Sequence, residues 1–108
     1  MNVVRSIINY KKVEGMKPHF LVHDPKDSVG VAVVEIKVGD KLTGFCLENG
    51  EQFTVEAKDP IPLGHKVALK GLNQGEDVLK YGIPVGIATK AITPGQHVHV
   101  HNIKTKRW

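Results

Sequence analysis

From His19 onward the chain breaks into short runs of β-formers: His19–His23, Val29–Ile36, Leu42–Leu47 and Gln52–Ala57, each bounded by Gly, Pro, Asp or Asn. Short branched and aromatic runs between turn-formers predict strands. Asp24-Pro25-Lys26-Asp27 reads as a turn. Asn49-Gly50, flanked by alternating apolar residues, is a strong hairpin signal, so Leu42–Leu47 and Gln52–Ala57 are expected to pair antiparallel. Helix is expected only as brief turns near residues 61–63 or 69–73. Residues 1–15 have no clean period and are expected to form a peripheral arm, with the domain spanning 16–108. A sharper expectation is that translation begins at Met16, because Val-Glu-Gly-Met can be encoded by purine-rich codons resembling a ribosome-binding site.

A repeat underlies this pattern. Gly-polar-polar-aliphatic occurs as Gly39-Asp40-Lys41-Leu42, Gly64-His65-Lys66-Val67, Gly75-Glu76-Asp77-Val78 and Gly95-Gln96-His97-Val98. The first, third and fourth follow Ile36, Leu72 and Ile92 by three residues. An aliphatic residue, two variable residues and a Gly turn reverse the chain into a new strand. Uneven spacing argues against a solenoid and for long bent hairpins. Pro60, Pro62, Pro84 and Pro94 are expected at strand edges or turns, where a missing N–H matters least. The expected fold is therefore mostly β, of bent antiparallel hairpins with little helix.

Composition narrows the functional classes. One hundred and eight residues fit one domain, which excludes a two-domain catalyst with its own interdomain cleft within this chain. The formal charge of +4 suggests nucleic acid as a partner until its distribution is considered. Arg5, Lys11 and Lys12 against Glu14 at one end, and Lys104, Lys106 and Arg107 at the other, account for the whole excess. The stretch between them is slightly acidic, so no nucleic-acid-binding face is expected, and the basic tail becomes a candidate docking strip. Cys46 alone excludes an internal disulfide, and its apolar strand context makes it a core thiol. The absence of any run approaching a membrane span or a secretory signal leads to the expectation of a soluble, cytoplasmic protein with no membrane partner. No Gly-rich phosphate loop, nucleophile elbow or paired-cysteine zinc motif is present.

Four clusters could carry chemistry. In His97-Val98-His99-Val100-His101-Asn102, strand alternation would place three imidazoles on one face and Val98 and Val100 in the core. Such a face could ligate a divalent metal, shuttle protons or bind an anion, and it could equally be a solvated strand face. Neighbouring imidazoles on one strand cannot easily all reach one ion, so at most two plus a group from elsewhere is the realistic geometry. Gly64-His65-Lys66 would present a titratable group and a cation at a loop tip, or simply a charged turn. Lys80-Tyr81-Gly82 could bind a carboxylate or phosphate, although a solvated Lys beside a half-buried Tyr is the plainer reading. Of His19 and His23, the first is read as structural, while His23 beside Asp24 is left open.

These blocks, Ile61–Leu69, Gly75–Ala88 and Gly95–Asn102, in this order, resemble the SAF domain of the altronate/galactarate dehydratase family. The resemblance implies a β-clip fold working beside a larger metal-dependent domain, either fused to it or as a free-standing small subunit. The His19-Phe20-Leu21-Val22-His23-Asp24 opening and the Lys104–Trp108 ending point to a free-standing small subunit. A large beta subunit is then the expected partner. The implied activity is a lyase that eliminates sulfite from a small anionic hydroxy acid, with a sugar-acid hydro-lyase or a non-catalytic binding module as alternatives. On this reading His65 and His99 are the catalytic candidates. Gly64, Lys66, Lys80, Tyr81, Gly82, His97, His101 and Asn102 join them as substrate-binding candidates, with backbone N–H groups at Gly64 and Gly82 as anion donors. His97, His99 and His101 are the candidate metal contacts. The implied cofactor is iron(II), held mainly by the partner because this chain lacks a dense carboxylate or cysteine set.

Overall fold

The structure, a computed structural model, describes residues 17–105. The N-terminal arm, the alternative start at Met16 and the last three residues of the basic tail lie outside the described residues. The described residues form nine strands: β1 (Phe20–Val22), β2 (Val29–Ala32), β3 (Lys41–Cys46), β4 (Gln52–Glu56), β5 (Lys66–Ala68), β6 (Asp77–Lys80), β7 (Ile83–Ala88), β8 (His97–Val98) and β9 (Ile103–Thr105). Six form one sheet in the order β4-β3-β1-β2-β5-β8, and three form a second in the order β6-β7-β9. The described residues contain no helix, and none is therefore long and apolar enough to cross a membrane. The mostly β fold class expected from the pattern holds.

Local signals placed the first elements well. β3 and β4 pair antiparallel with Leu42 opposite Val55, closed by the Asn49-Gly50 turn, where Gly50 has φ +75°. The Asp24–Asp27 turn forms as read, with the Asp27 N–H donating to the Asp24 carbonyl at 2.9 Å. The Val29–Ile36 run departs from expectation. It is a strand only to Ala32, then bends, leaving Val33 and Val34 exposed before Ile36 re-enters the core. One pairing had no local signature: β1 lies parallel to β3, with Phe20 opposite Gly44. The Phe20 ring, fully buried, lies against Gly30 and Gly44, where a Cβ at either glycine would strike it.

The repeat is more regular in space than in sequence. Ile61 also precedes its glycine, Gly64, by three residues, so all four units share the spacing. The units pair: Ile36 bridges Ile61, and Leu72 bridges Ile92, both antiparallel. Each repeat glycine takes a left-handed conformation, with φ between +88° and +92°. Its N–H donates at 2.8 Å to an alanine carbonyl: Gly39 to Ala57, Gly64 to Ala32, Gly75 to Ala88 and Gly95 to Ala68. Each alanine stands four residues before the aliphatic member of the partner unit. The exchange is thus reciprocal within each pair, two interlocked clips joined by the chain. Each clip has its own core, one around Phe20, Ile36, Leu42 and Ile61, the other around Leu72, Val78, Ile92 and Val98. Buried alanines allow the backbones this close approach because a larger side chain would hold them apart.

Candidate functional site

The site forms where the two clips meet, β5 following the Ile61–Gly64 unit of the first and β8 the Ile92–Gly95 unit of the second. β5 and β8 pair antiparallel with Lys66 opposite Val98 and Val67 opposite His97. One step further in this register His65 falls across from His99. His65 is set by the turn after Pro62, its N–H donating to the Pro62 carbonyl at 2.9 Å. Strand alternation therefore brings His65, His97 and His99 to one face. His65 Nδ1 and His97 Nε2 share a hydrogen bond of 2.9 Å, so one of the two carries the proton. The His65 ring stacks on His99 with centroids 4.6 Å apart, and the His97 and His99 planes differ by only 10°. Potential donor nitrogens of these three imidazoles all lie within 4.8 Å of one another.

His101 is placed differently from the reading above. β8 ends at Val98, and His99 to Asn102 form a turn in which the Asn102 and Ile103 N–H groups both donate to the His99 carbonyl at 3.0 Å. The expected alternating strand therefore stops short, and Val100, expected in the core, is 81% exposed. The cause is Asn102. Its buried amide accepts the His99 N–H at 2.9 Å and donates to the His97 carbonyl at 2.8 Å, curling the chain off the sheet. Asn102 thus has its side chain committed to the turn. The exposed His101 keeps contact with the cluster only through His97, centroids 5.3 Å apart. The partner that the alternating run lacked is His65, from a distant turn.

Beside the imidazoles opens a cleft of about 660 Å³ lined by Lys66, Lys80, Tyr81, His99 and Lys104, with Val85 and Ile103 supplying an apolar wall. Lys66 stands on β5, Lys80 ends β6 and Lys104 is on β9, so three strands each contribute a lysine to its lining. Burial, and secondarily the positive charge of Lys80, lowers the Lys66 pKa from the ordinary lysine value. Such a cleft favours an anion, which relieves both costs. Lys104 was read as part of a terminal docking strip, yet it belongs to a strand, paired with Ile87, and faces this cleft. The signal was available in Ile103–Thr105, an apolar residue followed by alternation, but the basic tail masked it.

His97 has its pKa lowered, first by burial and then by the charges of His101, His65 and His99, with Asp59 opposing. Asp59 also fixes the strand by accepting the His97 N–H at 2.9 Å. His97 therefore favours the neutral imidazole. His19 plays the structural part expected of it, accepting the Thr43 N–H on Nδ1 at 3.0 Å. His23 lies edge-on to Tyr81 at 4.2 Å and shares a small apolar pocket with Lys80 and Tyr81.

The backbone donors expected at Gly64 and Gly82 are engaged elsewhere. Gly64 N–H serves the clip, and Gly82 N–H donates to Asp27 Oδ1 at 2.7 Å. Asp27, buried and overlooked in the sequence, also accepts the N–H groups of Tyr81 at 3.0 Å and Asp24 at 3.2 Å. Tyr81 has φ +58°, unusual for a residue with a Cβ, so this turn needs an external hold. Asp27 supplies it, and Ser28 reinforces the junction by accepting the Leu79 N–H on Oγ at 3.1 Å. Asp27→Ala is expected to cost about 2–4 kcal/mol, because several backbone donors lose a carboxylate acceptor at once. Urea unfolding measures the loss, and a midpoint unchanged from the parent would show that the turn holds itself.

The described residues thus form a small all-β domain of interlocked clips that presents an imidazole cluster beside a three-lysine cleft. Residues 18–106 match the altronate/galactarate dehydratase SAF domain, and the chain belongs to that family. It is 47% identical over 94 residues to the (2R)-sulfolactate sulfo-lyase subunit alpha of Chromohalobacter salexigens, covering 86% of this chain and 100% of that protein. Identity to the protein of the same designation from Paracoccus pantotrophus is 48% over 60 residues, 56% of this chain and 90% of that one. The altronate dehydratase of Bacillus subtilis is 37% identical over 90 residues, 83% of this chain but 17% of the dehydratase. The same domain is thus found as a separate subunit and as a small part of a longer enzyme, and the designation alpha implies a partner subunit for those relatives.

Proposed function

We propose that this chain is the small, alpha subunit of a two-component lyase that eliminates sulfite from (2R)-sulfolactate to give pyruvate, beside a large beta subunit. The observation that carries this reading is the convergence of Lys66, Lys80 and Lys104 on one cleft with His99 at its wall. Sulfolactate carries a carboxylate and a sulfonate, and three ammonium groups suit two anions held at once. Elimination breaks the C2–H bond, its electron pair forms the C2–C3 double bond, and sulfite leaves from C3 with the C–S pair. The enol so formed becomes pyruvate on protonation at C3. Ammonium groups at the carboxylate and sulfonate stabilise the charge that grows on both ends in the transition state.

His65 and His99 are the imidazoles we assign to the chemistry, with His97 behind them and His101 at the outer edge. Two roles suit them: taking the C2 proton, or holding a metal. Iron(II) is the metal of this reading, with the large subunit supplying most of its ligands. This chain's donors fit such a group only through imidazole nitrogen, since the cluster contains no carboxylate or thiolate. When bound, a divalent ion polarises the substrate carboxylate and hydroxyl and acidifies the C2 proton.

The likeness to altronate dehydratase supports a second reading, a small subunit of a hydro-lyase acting on a sugar acid such as altronate or galactarate. Reconstitution with the large subunit, assaying sulfite release from sulfolactate against 2-keto-3-deoxy acid formation from altronate, separates the two. Sulfite release is the expected result. Keto-acid formation alone would move the assignment to the hydro-lyase. Neither product from a folded, assembled complex would leave a binding module.

A further inference from the structure

We infer that His65, His97 and His99 form a binding site on this chain itself for one divalent first-row transition-metal ion. The inference goes beyond the lyase reading, in which the partner supplies most of the ligands. Of the candidates His97, His99 and His101 it takes the first two, with His65 as the group from elsewhere.

Three observations carry it. The potential donor nitrogens lie within 4.8 Å of one another, although the residues come from two segments. A metal–imidazole bond is about 2.0–2.1 Å long, which places two ligand nitrogens about 2.8–3.0 Å apart at an octahedral edge and about 3.3–3.4 Å apart at a tetrahedral one. The His65 Nδ1 to His97 Nε2 separation is 2.9 Å, at the octahedral edge length, so an ion would take the place of the proton that these two nitrogens now share. His99 would need only a side-chain rotation to complete the set, and all three rings are half-buried, which leaves room for it.

The backbones that carry these side chains are fixed independently of any ion. Asp59 holds the His97 N–H, Asn102 holds the His99 N–H, and the turn after Pro62 holds His65. A preformed site pays less ordering entropy on binding than a flexible one. Chemically, three neutral imidazoles with open positions suit zinc, iron, cobalt or nickel, and suit the hard oxygen-seeking ions poorly. The neighbouring lysines leave the open positions for an anionic oxygen ligand.

His101 and His23 provide the internal controls. His101 reaches the cluster through its ring contact with His97, and His23 packs against Tyr81; neither belongs to the group of three converging imidazoles. If three His ligate the ion, the C2 proton of the proposed reaction must go to a group outside the triad. The metal site can be measured without any assay of that reaction.

The test uses the untagged full chain, stripped with chelator and titrated with Co(II), reading the visible absorption of the bound ion, and with Zn(II) by calorimetry. The expected result is one ion per chain with micromolar or tighter affinity. His65→Ala, His97→Ala and His99→Ala should each weaken it at least about tenfold, as loss of one ligand requires. His101→Ala and His23→Ala should leave it within about twofold. Circular dichroism establishes that each variant is folded, and His65→Gln provides a second, milder variant at the position farthest in sequence from the others. Saturation only at millimolar ion, or a His101→Ala loss as large as that of His65→Ala, would overturn the site. Metal binding without sulfite release in the reconstituted complex would overturn the lyase reading and leave this inference standing.

Discussion

Replacing Gly95 by alanine is expected to remove about 4 kcal/mol or more of stability, enough to threaten folding in a domain of this size. Gly95 sits at φ +91°, and its missing Cβ points at the Glu56 carbonyl, with the carbonyl carbon at 3.0 Å and Lys58 Cγ at 3.3 Å from where that atom would lie. The obstacle is backbone, so it cannot rotate away. The crossing segment is also tied to Gly95 by a hydrogen bond, Lys58 N–H to the Gly95 carbonyl at 2.9 Å. Moving it would strain both that bond and the clip bond from Gly95 to Ala68. Left-handed backbone at a residue with a Cβ adds roughly 1–3 kcal/mol of its own. Gly75→Ala isolates the second contribution, because Gly75 has φ +92° and open space around it. The expected outcome by thermal or urea unfolding is a modest loss at Gly75 and a far larger one at Gly95. Equal losses would mean that the Glu56 crossing contributes nothing.

The largest expected effect on activity is at Lys66. Lys66→Ala in the reconstituted complex should lower kcat/KM for sulfolactate by about 10- to 100-fold, as expected for loss of one charge-assisted contact to an anion. Lys80→Ala should act similarly through the same cleft, while the double variant should fall short of the product of the two, since the ammonium groups repel and share one ligand. Lys66→Arg should restore part of the loss by returning the charge. Lys41→Ala, on β3 and separated from β5 by two strands of the six-stranded sheet, should have no effect. Steady-state kinetics with matched circular dichroism decides the matter. A Lys66→Ala complex with full kcat/KM would remove the lysine cleft from substrate binding, and the functional reading with it.

Legibility in the sequence followed interaction range. The β3–β4 hairpin was plain because Asn49-Gly50 and the alternation on either side are local instructions that need no distant partner. The repeat was visible for the same reason: each Gly must adopt its left-handed turn whatever it packs on. The alanine half of every clip carries no such local signal, because Ala32, Ala57, Ala68 and Ala88 matter only to the glycine of another unit. Asp27 was opaque likewise, being a turn residue whose acceptors serve a hairpin 54 and 55 residues away.

The histidines show the same division. Alternation in His97–His101 correctly suggested a shared face for His97 and His99, but one residue, Asn102, spent its amide on backbone and turned His101 out of line. Nothing in a local period reveals that a side chain will outcompete the ladder for a backbone donor.

By itself, then, the sequence determined a β-rich chain of short strands, the positions of its sharp turns, a family likeness, and a stock of imidazoles and lysines without carboxylate ligands beside them. Tertiary structure alone decided which of them meet. His65 reaches His97 because β5 and β8 pair in one register, and Lys66, Lys80 and Lys104 share a cleft because strands of both sheets close around it. Register is set by which apolar residues each clip can bury, a global balance to which every strand contributes and that no window of sequence contains.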